Sequence, residues 1–191
     1  MNLLQDQQAI QALLAGEVGV MPTDTLYGLV SRAADAAAVA RMYQIKHRER
    51  KPGTVIAATV GQLLALGLSE HDIRAVEHLW PNPFSIVLTP QDDVLPHLHQ
   101  GLGDFPIRIP ADERLRQLLL QTGPLATTSA NLPGELPAST IDEAYSYFKD
   151  TADFYVDGGD LSARLPSTIA RVTSNGIDVL RQGAFDIPTA A

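Results

Sequence analysis

Cysteine is absent from the 191 residues, which excludes disulfides and thiolate metal sites. Lysine is nearly absent: Lys46, Lys51 and Lys149 are the only three. No apolar run approaches the roughly 20 residues that a membrane helix needs. The start, Met1-Asn2-Leu3-Leu4-Gln5-Asp6, has no positive flank and no long apolar stretch, so no secretory signal is expected and a cytoplasmic location is. Positive charge is in short supply, with a net charge of −8. That balance argues against coating nucleic acid through bulk charge, but leaves local binding of a phosphate compound open. Neither Gly-x-x-x-x-Gly-Lys-[Ser/Thr] nor Gly-x-Gly-x-x-Gly occurs, so a nucleotide would be held by neither common device. No internal repeat, low-complexity tract or Gly/Ser linker marks a second domain. The length suits one domain over 1–191, with a core of about residues 3–183 and a short tail, 184–191.

Against this scarcity stands Lys46-His47-Arg48-Glu49-Arg50-Lys51, which holds four of the 14 basic side chains. Arginine forks match phosphate oxygens bidentately, and lysine acts as a mobile point charge. Read alone, the cluster is equally a solvated loop closed by Pro52-Gly53.

Helix-like and strand-like segments alternate. Asp6 to Leu14 has helical periodicity, and Gly16 ends it. Val18 to Met21 reads as a buried strand. Asp35 caps a helix over Ala36 to Ile45. Strands are expected at Thr54 to Ala58, Phe84 to Leu88, Phe105 to Ile109, Leu125 to Thr128, Phe154 to Val156, Thr168 to Val172 and Ile177 to Leu180. Ser69 opens a helix carrying Ile73, Val76 and Leu79; Asp112 to Gln121 forms another; Thr140-x-x-Glu143 is a capping box for a helix to Phe148. The alternation implies an α/β sheet covered by helices, and the late cluster of strands makes it mixed rather than purely parallel. Ligands of such sheets bind at strand ends, where the polar motifs fall.

Pro22-Thr23-Asp24-Thr25-Leu26-Tyr27-Gly28-Leu29 follows one strand. It presents hydroxyls and a carboxylate, or else a turn whose Thr and Asp bond their own backbone. Thr127-Thr128-Ser129-Ala130-Asn131 ends another strand in hydroxyls and an amide before Pro133-Gly134. Ser129 lacks a Gly-x-Ser-x-Gly elbow and a histidine nearby in sequence, which argues against a nucleophile. Arg108 interrupts an apolar strand and needs a partner, either a structural carboxylate or a ligand's. Arg164-Leu165-Pro166-Ser167-Thr168 and Leu180-Arg181-Gln182-Gly183 put further polar groups at strand ends. His97-Leu98-His99 has no carboxylate or cysteine beside it and reads as a surface loop; Trp80-Pro81-Asn82-Pro83 reads as a helix stop and packing corner.

In order and spacing these motifs resemble the YrdC family of threonylcarbamoyl-adenylate synthases. The family pattern runs Pro-Thr-[Asp/Glu]-Thr-x-Tyr-Gly-Leu, Lys-x-Arg, Trp-Pro-Gly-Pro-[Leu/Phe]-Thr, Val-Arg-x-Pro, Thr-Ser-Ala-Asn-x-Ser-Gly, Ser-Thr and Leu-Arg-x-Gly. This chain carries Pro22 to Leu29, Lys46-His47-Arg48, Trp80 to Ser85, Ile107 to Pro110, Thr128 to Asn131, Ser167-Thr168 and Leu180 to Gly183. The resemblance implies a single YrdC-like domain of the short form: a twisted, open, mixed α/β sheet flanked by helices, with a central positively charged cavity. It implies that L-threonine, bicarbonate or CO2, and ATP give threonylcarbamoyl-AMP and pyrophosphate. A downstream transferase complex then modifies adenosine in certain tRNAs.

By the same resemblance, Lys46, Arg48, Ser129 and Asn131 form the catalytic set. Arg50, Thr128, Ser139 and Arg181 join them around ATP. Thr23, Thr25, Tyr27, Arg108 and Ser167 hold threonine. Mg2+ accompanies ATP as part of the substrate, with no protein side chain assigned to it. Direct tRNA binding is a further expectation. The chain departs from the pattern at Asn82, Ser85, Pro133 and Asp112, and Gly53 with Ile56-Ala57-Ala58 replaces a segment that ends in a threonine-holding His. Asn82 would keep the glycine turn by taking left-handed geometry. Two other readings stand beside the synthase: a non-catalytic RNA-binding or ribosome-maturation factor of the same fold, and an enzyme of other carbamoyl-adenylate chemistry.

Overall fold

The computed structural model describes residues 1–47, 51–90, 94–173 and 176–188. In chain order the elements are α1 (Asp6–Leu14), β1 (Gly19–Pro22), β2 (Tyr27–Arg32), α2 (Ala36–Ile45), β3 (Thr54–Ile56), α3 (Val60–Ala65), α4 (Glu70–Arg74), β4 (Phe84–Leu88), α5 (Pro96–His99), β5 (Phe105–Arg108), α6 (Glu113–Thr122), β6 (Leu125–Ser129), α7 (Ile141–Phe148), β7 (Phe154–Tyr155), β8 (Thr168–Thr173) and β9 (Gly176–Arg181).

The strands form one open sheet in the order β7-β1-β2-β6-β3-β5-β4-β8-β9. The pairs β1–β7, β3–β5 and β4–β8 are parallel, and the remaining neighbours are antiparallel. The sheet is therefore mixed, as the late strand cluster predicts. Strand β2 was not expected. It lies between β1 and β6 and is buried along nearly its whole length, so its sequence, Tyr-Gly-Leu-Val-Ser-Arg, does not alternate. The sequence also offers no expectation for α3, which Thr59 caps by accepting from Gln62 N.

Side chains on the two faces alternate along each strand. On one face Val20, Leu29, Val55, Ile86, Ile107 and Ala126 pack with residues of α2, α3, α4, α5 and α7. On the other, Met21, Val30, Ile56, Leu125 and Phe154 pack under α1 and α6. These two helices cover only part of that face. Continuing by twos from the covered residues, β6 passes from Leu125 to Thr127 and Ser129, and β3 runs back from Ile56 to Thr54. The same face of β5, β4 and β9 carries Arg108, Ser85 and Arg181, by their register. Polar side chains thus collect where helical cover ends.

Several local expectations change. The helix opened by Ser69 stops at Arg74, and Glu77–Leu79 follows as a 3-10 turn. The histidine pair lies in the short helix α5 rather than in a loop: Leu98 is buried, and His97 Nε2 lies 2.8 Å from the Ala33 carbonyl. Asn82 is not left-handed; its side-chain amide instead donates to the Leu79 carbonyl at 2.8 Å. Trp80, which begins a cis peptide to Pro81, packs in the core and donates from Nε1 to the Phe84 carbonyl at 2.7 Å. Phe185 stacks at 5.4 Å from Phe84.

Candidate active site

A cavity of about 590 Å3 opens over the part of the sheet that α1 and α6 leave bare. Among the described residues, its charged lining residues are Lys51, Arg108, Arg164 and Arg181, with no aspartate or glutamate. Thr23, Thr25, Tyr27, Thr128, Ser129, Ser139 and Ser167 also line it. Of the residues singled out in the sequence, Lys46 and Asn131 stand behind the wall, bonded to Ser129. Arg48 and Arg50 lie outside the described residues.

One wall is a polar relay. Arg108 is nearly inaccessible, and its Nη2 donates to Asp24 Oδ1 at 2.8 Å, where the two side chains are 4% and 2% exposed. Its Nη1 donates to Ser85 Oγ at 3.1 Å. Ser85 Oγ in turn donates to Ser167 Oγ at 3.1 Å. Arg181 folds onto the same serine, with Nη2 donating to the Ser167 carbonyl at 2.7 Å. Partial burial of its guanidinium, and then the like charge of Arg108, hold the Arg181 pKa below its ordinary value. Both effects make an anion at this wall favourable. The two partners that the sequence left open for Arg108 thus become one observed carboxylate, Asp24. Arg108 Nε, meanwhile, is buried without a hydrogen-bond partner among the described residues.

The opposite wall is built on the end of β6. Lys46 follows α2 as its C-cap residue and is 4% exposed. Its ammonium donates to the Ser129 carbonyl at 2.6 Å, to Asn131 Oδ1 at 2.5 Å, and to the Asn131 carbonyl. Ser129 Oγ donates to the same Asn131 Oδ1 at 2.7 Å, and Asn131 Nδ2 donates to the Glu135 carbonyl at 2.6 Å. The lysine and the Ser-x-Asn loop therefore meet directly, as facing partners, across the top of β2 and β6.

Other residues serve the frame more than the opening. Tyr27 Oη donates to the Gly159 carbonyl and accepts from Gly158 N, both at 2.8 Å, so the hydroxyl fixes the 157–159 loop while the ring lines the cavity. Burial first, and Asp157 in addition, push its pKa up. Thr23 Oγ1 donates to the Leu26 carbonyl at 2.7 Å and lies 3.1 Å from Thr25 Oγ1, a local turn as the motif read alone suggests. Ser139 Oγ donates to Glu143 at 2.8 Å.

Sequence reasoning gave no site role to Asp24, Ser85, Arg164 or Lys51. The signal was present for Arg164, which precedes Pro166-Ser167. Its Nη1 donates to the Thr23 carbonyl at 2.9 Å, joining two motifs 141 residues apart. Gly183 explains how Arg181 gets so near. A Cβ there would stand 2.2 Å from the Pro166 carbonyl oxygen and 2.6 Å from that of Ser167, so only glycine admits this approach.

The model of the Sua5/YciO/YrdC family, described as "Telomere recombination", matches residues 11–183. A relative from Mycobacterium tuberculosis is 32% identical over 178 residues, covering 92% of this chain and 82% of its own length. The threonylcarbamoyl-AMP synthase of Pyrococcus abyssi is 30% identical over 177 residues, covering 90% of this chain and 52% of its own, so this chain spans about half that protein. Among solved structures, P. abyssi Sua5 complexed with L-threonine superposes with a TM-score of 0.82 at 26% identity, over 95% of this chain and 56% of that one. Escherichia coli YciO, at 23% identity and a TM-score of 0.81, shares the fold over 97% of this chain and 96% of its own. With the match running through nearly every strand that builds the cavity, the chain belongs to the Sua5/YciO/YrdC family.

Proposed function

We propose that this protein is a threonylcarbamoyl-AMP synthase, a nucleotidyltransferase that joins L-threonine, bicarbonate or CO2, and ATP, and releases pyrophosphate. The observation that carries this reading is the cavity whose described lining holds four cationic side chains and no carboxylate, walled by Arg108, Ser167 and Arg181 on one side and by Ser129, held by Lys46, on the other. The P. abyssi sequence named for this reaction and the P. abyssi Sua5 structure solved with L-threonine support it.

In this reading the threonine carboxylate lies at the Arg108–Ser167–Arg181 wall, with Thr23 and Thr25 beside it. Its amine attacks the carbon of bicarbonate and water leaves, or attacks CO2 and loses a proton, giving a carbamate. One carbamate oxygen attacks the α-phosphorus of ATP, the bond from that phosphorus to the bridging oxygen breaks, and pyrophosphate leaves with the electron pair. Such a displacement needs alignment and charge stabilisation rather than a protein nucleophile. Ser129, Thr128 and Ser139 offer donors to the nucleotide, and Lys51 and Arg164 offer charge. Lys46 acts by fixing the Ser129–Asn131 loop, and Arg48 and Arg50 would add charge next to it in sequence. Mg2+ fits as a companion of ATP: the described lining residues offer hydroxyls and cations but no carboxylate, so phosphate oxygens and water would supply its ligands. The product would pass to a separate transferase acting on tRNA, a setting that belongs to the cytoplasm.

The test is pyrophosphate release by purified protein supplied with ATP, Mg2+, bicarbonate and L-threonine. Release should depend on both threonine and bicarbonate. Equal release without threonine would sink the proposal.

A further inference from the structure

The cavity must sort two kinds of anion. Under the synthase reading, on which this inference rests, one wall takes a carboxylate monoanion while polyanionic phosphates lie a few ångströms away. The carboxylate wall carries two guanidiniums, Arg108 and Arg181, linked through Ser85 and Ser167. A doubly positive wall would suit a phosphate dianion at least as well. It carries a third charge, however. Asp24 lies against Arg108 at 2.8 Å, and its side chain is 2% exposed. Two guanidiniums and one carboxylate leave a single positive charge.

We propose that Asp24 is the residue that sets the anion specificity of this subsite: by holding its net charge at one positive unit, it admits a carboxylate and refuses phosphate. The geometry suits the role. Nε and Nη2 share one edge of a guanidinium, and Asp24 Oδ1 takes Nη2 alone, leaving Nε buried and without a partner among the described residues. Among the described residues, Asp24 Oδ2 accepts from the Ala111 amide alone, at 3.4 Å. The aspartate therefore neutralises Arg108 without filling its edge. The Arg108 and Asp24 side chains are shielded from water, where an uncompensated charge is costly, so the ligand that fits beside them is the one whose charge cancels the remainder. A dianion would leave one negative charge in excess beside Asp24. Asp24 is thus a positioning residue for Arg108 and a charge filter, and it need not touch the reacting atoms.

Sulfate, a dianion throughout the working pH range, is the probe. Wild-type protein, Asp24→Asn and Asp24→Glu are assayed for pyrophosphate release against threonine at several sulfate concentrations, and sulfate binding is titrated calorimetrically on each. In Asp24→Asn, sulfate should become a competitive inhibitor towards threonine, with an inhibition constant at least tenfold lower than in wild type. Asp24→Glu should behave as wild type. A folded Asp24→Asn protein whose threonine response is no more sensitive to sulfate overturns the proposal. Should Asp24→Asn not fold, Arg181→Gln carries the test from the other side. It takes the subsite to zero charge and should raise the threonine KM at least tenfold; an unchanged KM overturns the proposal. If wild-type protein shows no threonine-dependent release, the synthase reading has failed. The sulfate titrations, which need no turnover, then decide the charge filter separately.

Discussion

Lys46 shows what burial does to a residue chosen for its charge. Taken from the sequence as a charge for phosphate, it is a side chain whose removal would end turnover and leave melting nearly unchanged. In the structure its ammonium is buried against the Ser129 and Asn131 carbonyls and Asn131 Oδ1. Lys46→Ala should therefore abolish pyrophosphate release and also destabilise the fold. Buried acceptors left without a donor cost about 1–3 kcal/mol, which lowers the melting temperature of a domain this size by roughly 3–10 °C. Ser129→Ala, which deletes a hydroxyl from the lining and leaves those carbonyls bonded, should cut turnover with a much smaller shift. Scanning calorimetry alongside the release assay separates the two. Equal melting for Lys46→Ala and wild type would mean that the lysine contributes charge alone.

At the scale of elements, β8 and β9 illustrate how a weak motif becomes part of a site. Leu180-Arg181-Gln182-Gly183 says little by itself. The hairpin brings Arg181 opposite Ile169. The close backbone approach at Gly183 then lets the guanidinium reach Ser167. Gly183→Ala would force the end of β9 away from Pro166 and Ser167. The expected result is a lower melting temperature together with a several-fold rise in the threonine KM. A variant that melts lower but keeps its threonine KM would show that Arg181 is not held by this contact. Helix α2 works in the same way: Asp35, accepting from Ala38 N at 3.0 Å, starts a helix whose other end delivers Lys46 to β6. That helix is legible from its cap and periodicity. Strand β2 is not, because a strand buried on both faces loses the alternation that marks strands nearer the surface.

Across the whole molecule, an ion pair between Arg41 of α2 and Asp153, just before β7, ties two distant parts of the fold. Partial burial acts to raise the Asp153 pKa, but the Arg41 guanidinium and the Val18 amide outweigh it and hold the carboxyl below its ordinary 3.8. A depressed carboxyl stabilises the fold above its unfolded value, and that contribution is lost as pH falls through the folded one. Asp153→Asn should therefore melt below wild type at pH 7, and the gap should close as pH is lowered from about 5 towards 2. A gap that is constant across that range would remove Asp153 from the acid response. The periods of 2 and 3.6, the caps at Asp35, Ser69, Asp112 and Thr140, and the order of polar motifs at strand ends were all determined by the amino-acid sequence. They are local: each depends on neighbours a few residues apart. The tertiary structure decided which charges meet. Arg108 finds Asp24 across 84 residues, Lys46 finds Asn131 across 85, and Arg164 finds Thr23 across 141. Those meetings depend on strand order and on where α1 and α6 cease to cover the sheet, so no local pattern in the chain encodes them.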